Sequence, residues 1–369
     1  MNLIELHILQ SFPVTCLNRD DVGAPKSAFF GGVQRARVSS QCWKRAIRAM
    51  AKSLAPDTFA GQRTCFVLRE LRDRFTAEGC SEDKAKELSE ATADVVGTLD
   101  DLDKGTVKTL LFFSPQELAA VVRAVLSLDL DNVLARKRSG DKKTADEAQK
   151  ELQKKLRKPV QEFAAVVKDA ADIAIFGRMV ADDHTLTVEG AGLFSHALST
   201  HAVANEVDFF TAVDDAKVDT TDAGAGHLGT LEFNAACYYR YVGLNTDLLT
   251  DSAHLGHLSH EERSTVVDAF LRGAILAVPS ARKNSMFGFT PPTFVLGLHR
   301  QGQPLSLVNA FESPVPASGG YVARSEAALQ NHWKRVRELY CLKTDTEAAL
   351  PPENLDAFIA KLNLYGDHA

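Results

Sequence analysis

No stretch of this chain approaches the roughly 18 consecutive apolar residues that a membrane-spanning helix needs, so no membrane partner is expected. The opening residues, MNLIELHILQSFP, carry no early Lys or Arg, and Glu5 and His7 interrupt the apolar positions. That makes a poor signal peptide, and the expected residence is cytoplasmic. Cysteine is sparse: six residues, at 16, 42, 65, 80, 237 and 341, with no CxxC pair. Such spacing excludes a zinc ribbon and a disulfide framework, and fits reduced thiols. Also missing are G-x-x-x-x-G-K-[ST], a G-x-G-x-x-G after a strand, G-x-S-x-G and H-E-x-x-H. The usual phosphate loop, dinucleotide fingerprint, nucleophile elbow and zincin helix are therefore excluded. Ser, His and Asp are all present, but nothing orders them as a triad.

What is present is 369 residues of ordinary apolar content (45%) with a formal net charge of -6. At roughly 150 residues per domain, that length suggests two or three units, or one core with large insertions. Ile4, Leu6 and Ile8 alternate with Glu5 and His7, which predicts a half-buried first strand. Arg35 to Ser39 reads as extended, and Ser39 or Ser40 suits the cap of a following helix. In that helix Trp43, Ile47, Met50 and Leu54 should face a core. Lys44, Arg48 and Lys52 form a separate stripe beside Arg45. From about Thr58 to Asp169 the text is helical and charged. Residues 190–229 read as a Gly/Asp-rich loop with an apolar knot, DFFTAV. LGTLEFNAACYYRYVGLN alternates, with Leu231, Phe233, Ala235, Cys237, Tyr239 and Tyr241 on one face. A helix follows, with Ser259 and Glu262 fitting a capping box. PPTFVLGLH and PLSLVNAF read as further strands, and SEAALQNHWKRVREL as a late helix. The order is that of an α+β core with two inserted lobes and no internal repeat.

Positive charge gathers where the total would not suggest it. Between Asn18 and Arg48 stand seven cations (Arg19, Lys26, Arg35, Arg37, Lys44, Arg45, Arg48) against two acids. A helix start offers unpaired N–H groups and a positive dipole end, which suits phosphate. Lys44 and Arg48, one turn apart, match successive phosphates of a backbone read without regard to sequence. A basic surface helix opposite an acidic neighbour is the plain alternative. In VDFFTAVDD, adjacent rings in a polar loop suit stacking on or wedging between bases; a loop anchored by its own ring pair is the alternative. Arg136 to Lys158 holds ten basic and four acidic residues, either a contact surface or a solvated face. The carboxylates Asp20–Asp21, Asp182–Asp183–His184 and Asp214–Asp215 offer oxygen ligands for a metal nuclease, but adjacent Asp residues more often cap turns. His254, His257 and His260 sit at three-residue spacing on a loop entering a helix, a weak zinc pattern.

Taken together, CLNRDD, then K-S-A-F-F-GG, then R-x-R-V-SSQ-x-x-KRA-x-R closely resemble the start of the CasC family. CasC is the multi-copy backbone subunit of the type I-E CRISPR Cascade complex. The likeness returns at ADIAIFGRM (171–179), HALSTH, DFFTAVDD, HLGT-EF through YYRY, and NAFE (309–312). It is dense over 1–50 and 171–245. The resemblance implies a modified RRM-like (ferredoxin-like) palm at 1–55, 171–189 and 230–369, a helical fingers insertion at 56–170 and a thumb hairpin at 190–229. It implies a protein that is not an enzyme and needs no cofactor. Its partners would be CRISPR RNA, target DNA, the other Cascade subunits (end-capping, small and large) and, indirectly, the helicase-nuclease effector. Copies of the chain, about six, would stack into a filament along the CRISPR RNA spacer. Guide contacts would fall on Lys26, Ser39, Gln41, Lys44, Arg45 and Arg48, and kink contacts on Met179, Phe209, Phe210, Thr211 and Leu228. Phe209 stands where a relative carries Trp, keeping the stacking face without the indole N–H. In the fingers, Arg136, Lys137, Arg138, Lys142 and Lys143 are candidates for target DNA. The alternative is a metal-dependent target-RNA endoribonuclease like the type III backbone subunits, with Asp20 or Asp21 in its catalytic loop.

Overall fold

The computed structural model describes residues 1–162, 167–179, 186–212 and 227–366. The backbone divides into two compact units, one of Met1–Leu54, Leu193–Thr246 and Val267–Ala369, the other of Ala55–Gly192 and Asp247–Val266.

The first unit begins with β1 (Asn2–Thr15), β2 (Ser27–Phe30), β3 (Val33–Val38) and α1 (Ser40–Leu54). The chain then builds the second unit from β4 (Gln62–Thr64), α2 (Val67–Ala77), α3 (Glu82–Gly97), β5 (Leu99–Asp101), β6 (Thr106–Val107), β7 (Leu111–Phe113), α4 (Pro115–Leu126), α5 (Asp131–Lys137), α6 (Lys142–Glu162) and α7 (Ala171–Phe176). It continues through β8 (Gly192–Phe194), β9 (Ala197–Ser199), β10 (Glu206–Ala212), β11 (His227–Asn245), α8 (Thr246–Leu249), α9 (His260–Leu276), β12 (Phe294–Gln301), α10 (Val322–Leu339), β13 (Thr346–Leu350) and α11 (Leu355–Leu362). Among the described residues no helix is long and apolar enough to cross a membrane. All six cysteines are free.

The main sheet runs β13-β12-β1-β11-β9-β3-β2, with β10 and β8 added to β11. The pairings of β1 with β11 and β12 are antiparallel, as is that of β10 with β11. β1 is not half-buried as its alternation predicts. Ile4, Glu5, Leu6, His7 and Ile8 are all inside, because a central strand with both faces covered hides polar and apolar positions alike. The polar ones are satisfied in place. The Glu5 carboxylate pairs with Arg300 and accepts from Tyr241 Oη (2.6 Å) and Leu305 N–H (2.9 Å). Tyr239 Oη accepts from Leu307 N–H (2.8 Å) and is hydrogen-bonded to His7 Nδ1 (3.0 Å).

β11 corrects its prediction in the same way. Alternation fails beyond Ala236, where both faces are buried, and Ala235 is exposed. In α1 the inward residues are Trp43, Ile47 and Ala51, strictly four apart. Met50 is only half-covered and Leu54, at the last position, is exposed. PLSLVNAF is not a strand; Val308–Phe311 form a 3-10 turn that buries Phe311 beside Leu307. Residues 190–229 are less loop-like than predicted, since β8, β9 and β10 lie there. The capping box of α9 is present: Ser259 N–H donates to Glu262 Oε2 (2.8 Å) and Glu262 N–H to Ser259 Oγ (3.2 Å).

The second unit packs α2 to α6 around Leu71, Phe75, Leu88, Val121 and Val125. On α6, Ala148, Leu152, Leu156 and Val160 recur every fourth residue and are fully buried. Its lysines therefore lie on the outer faces. Asp182, Asp183, His184, Asp214 and Asp215 lie outside the described residues. His254 and His257 each hold a backbone carbonyl through Nε2, of Glu189 (2.7 Å) and Val167 (2.9 Å).

Burial, followed by the positive charge of Arg300, lowers the pKa of His7 to about 3. An unfolded chain takes up this proton near pH 6.5. This stabilisation is therefore complete above 6.5 and falls by about 1.4 kcal/mol per pH unit down to the folded value. Urea denaturation at pH 7 and pH 5 should show a loss that shrinks by about 2 kcal/mol in His7→Gln. Equal losses in both proteins would refute the assignment.

Candidate nucleic-acid interface

The start of α1 is held from three sides. Ser39 Oγ accepts from Cys42 N–H (3.3 Å), the cap its position predicts. Ser39 N–H donates to Asn18 Oδ1 (2.9 Å), and Ser40 N–H to His196 Nδ1 (3.0 Å). Partial burial lowers the pKa of His196, and the charges of Arg37 and Lys26 lower it further. The field at the helix start is thus positive, and His196 serves as an acceptor. Gln41 and Arg45 are exposed; Lys26, Lys44 and Arg48 are half-covered. Lys44 Nζ lies 5.0 Å from the Phe194 ring centroid, an attraction between cation and ring face. Lys26 also closes the preceding loop: its N–H donates to Asn18 O (2.9 Å) and its carbonyl accepts from Arg37 N–H (2.9 Å).

Arg35 departs from the basic set. It is completely buried, donating to the carbonyls of Phe30 (3.2 Å), Ser199 (3.0 Å), Phe311 (2.8 Å) and Glu312 (3.3 Å). Its charge holds the fold together.

The second group lies on a two-stranded ribbon in the same unit. β10 is exposed from Glu206 to Thr211 and pairs with β11, Phe209 opposite Thr230, Phe210 opposite Gly229 and Thr211 opposite Leu228. Phe209 is 63% exposed and Phe210 36%. A Cβ on Gly229 would come within 2.4 Å of the Phe210 ring, so glycine leaves room for that ring to lie across the partner strand. The ribbon is rooted beside Lys26. Asn205 Nδ2 donates to Pro25 O (3.2 Å) and Glu232 Oε2 (3.0 Å), Asn234 Nδ2 donates to Asn205 Oδ1 (3.3 Å), and Tyr238 Oη donates to Asn234 Oδ1 (3.2 Å). Sequence reasoning did not find Asn18, His196, Asn205 or Asn234. Their partners are distant in the chain, and no local spacing marks them.

Met179 stands in the second unit, 82% exposed, directly after Arg178. That arginine is buried: Nη1 donates to both Glu117 oxygens (2.9 and 3.0 Å) and Nε to Leu186 O (2.8 Å). Of the other candidates in that unit, Arg136 pairs with Glu151 and Arg138 forks onto Glu87 (2.7 Å at each oxygen). Lys137 is half-covered. Lys142 and Lys143 are exposed at the first turn of α6.

A cation strip at a capped helix start, with exposed rings rooted beside it, has the chemistry that a polyanion requires. The CT1975-like family model matches residues 4–361. The chain belongs to this family of Cas proteins. Its fold is also that of chains in two solved complexes. One, from a "CRISPR RNA-guided surveillance complex, pre-nicking", is 28% identical with a TM-score of 0.75, covering 96% of this chain and 95% of that chain. The other, from a "CRISPR RNA-guided surveillance complex", is 24% identical with a TM-score of 0.59 over 98% and 96%, a likeness of fold alone. No curated protein matches the chain.

The two kinds of arginine should separate in mutants. Arg35→Met leaves several buried carbonyls without a donor and should cost at least about 3 kcal/mol in urea denaturation. Arg45→Ala, at an exposed position, should stay within about 0.5 kcal/mol of the parent. Similar stability in the two variants would contradict the division.

Proposed function

We propose that the chain is a non-catalytic, CRISPR RNA-binding backbone subunit of a type I-E Cascade complex, resident in the cytoplasm. In this reading the antiparallel sheet is an RRM-like palm, the helical unit supplies the fingers, and the ribbon of β10 and β11 is the thumb. Copies stack along the guide and follow its backbone. Each thumb kinks the strand and leaves the other bases open for target DNA, so that pairing and not protein reads sequence. The remaining Cascade subunits and the helicase-nuclease effector are the further partners. Arg136, Lys137, Arg138, Lys142 and Lys143 are proposed contacts to target DNA.

The carrying observation is that the exposed ring ribbon is rooted on Pro25, next to Lys26, in the same unit as the capped start of α1. Phosphate contacts and base contacts then come from one compact unit. The chemistry of Asp20 supports a binding role over the endoribonuclease. Its Oδ1 accepts from Val22 N–H (3.1 Å) and Ala24 N–H (2.8 Å), the behaviour of a turn cap.

Lys44→Ala or Arg48→Ala should weaken guide binding about equally for all spacer sequences and lower the salt slope by roughly one unit each. Loss confined to particular sequences would overturn the reading. With Phe209 and Phe210 both changed to Ala, a fluorescent base analogue at the kink should report a loosened base, and an unaltered signal would remove the wedge role.

A further inference from the structure

Residues 277–293, AVPSARKNSMFGFTPPT, join α9 to β12 and hold two cations and no acidic residue. The outer end of β1 pins this segment. Gln10 Nε2 donates to Thr290 O (2.6 Å), Thr290 Oγ1 to Ser11 O (2.5 Å) and Thr293 N–H to Leu9 O (2.8 Å). Gly288 sits so tightly on Thr15 that a Cβ there would come within 2.0 Å of its methyl. On this fixed backbone Phe287 and Phe289 point outward, 75% and 48% exposed. Two rings at alternate positions of a pinned loop make a local exposed aromatic patch, the kind of surface that marks a contact site.

Just upstream, Ala277–Arg282 form one wall of a groove of about 1070 Å³, whose other walls are the loop after β1 and one face of α1. Three guanidinium-bearing residues line it: Arg19, Arg45 and Arg282. Two carboxylates line it as well, but Asp20 is engaged by the turn N–H groups of Val22 and Ala24. Arg282 has φ +50, a left-handed conformation that glycine adopts without strain. Its buried Nε has no hydrogen-bond partner among the described residues. On α1, Arg45 and Ala49 face this groove, whereas Lys44, Arg48 and Lys52 do not line it. The helix thus divides its cations between two sides.

We infer that this groove and its ring ledge form a second contact for single-stranded RNA. Arg19, Arg45 and Arg282 hold phosphates, and Phe287 and Phe289 stack on bases. A ring pair beside cations in an acid-free loop is the make-up of a sequence-tolerant strand platform, since every base has a π-face. The inference rests on the guide-binding reading above and adds nucleotides on the far side of α1 from the Lys44 strip.

The test uses the whole chain and a fluorescently labelled oligouridylate, with anisotropy read at several salt concentrations. Phe287→Ser with Phe289→Ser should weaken binding about tenfold with the salt slope unchanged, because rings carry no charge. Replacing both by Tyr should restore affinity. Arg282→Ala should instead lower the slope by about 0.7. Parent-like affinity in the serine pair overturns the inference. So does loss of self-association without RNA, seen by sedimentation, while RNA affinity holds, since the rings would then belong between copies of the chain. If Lys44→Ala is also without effect, the guide-binding reading itself fails; if Lys44→Ala weakens binding and the serine pair does not, only the ledge falls.

Discussion

The candidate nucleic-acid face depends on one buried guanidinium. Arg240, inside the sheet on β11, donates to the carbonyls of Ala274 (2.7 Å) and Ile275 (3.1 Å) and to Gln10 Oε1 (2.8 Å), and lies 4.0 Å from the Trp43 ring centroid. The two carbonyls belong to the last turn of α9, where the helix has no partners of its own for them. The ring belongs to α1. One side chain therefore joins β1, β11, α9 and α1. Burial pushes its pKa down to about 9, yet it stays charged at neutral pH because every contact it makes is to an acceptor or a ring face. Gly273 completes the joint: a Cβ there would come within 3.1 Å of Ile47 O, so α9 and α1 lie almost backbone to backbone. The direction of the Lys44 and Arg48 stripe follows from that contact.

The same economy explains how an acidic chain presents a basic surface. The formal charge of -6 is a sum over the whole sequence. What a polyanion meets is local, and beside the start of α1 the charges of Arg37 and Lys26 add to the effect of burial in lowering the pKa of His196. Not every cation of the chain is open to a polyanion. Arg35 is enclosed by carbonyls, and Arg136 and Arg138 of the second unit already have carboxylate partners.

Much of this was legible in the sequence. The strand at β11, the capping box of α9, the late helix α10 and the serine cap of α1 are local patterns with local causes, and each is found. The cation stripe and the Phe209–Phe210 pair were legible for the same reason. The misreadings share one physical origin. Alternation of Glu5 and His7 with apolar residues looks identical in an edge strand and in a central strand whose polar groups find buried partners. Arg35 and Arg37 differ by two positions and by nothing else in sequence, yet Arg35 is wholly buried and Arg37 only half-covered. Asn205 and Asn234 cross-link the root of the ribbon over 29 residues, which no short window contains.

β11 is a single strand of 19 residues, about 60 Å of extended chain. Its inner end pairs with β1 and its outer end carries the ring ribbon. The ribbon is therefore less an appendage than a lever arm, with its fulcrum inside the core. A slip of one residue between β10 and β11 would exchange the faces that Phe209 and Phe210 show and take Phe210 off Gly229, which accommodates it. Aim is thus inherited from register: whatever loosens the interior at Arg240 also spoils the pointing of two rings paired farther along the same strand.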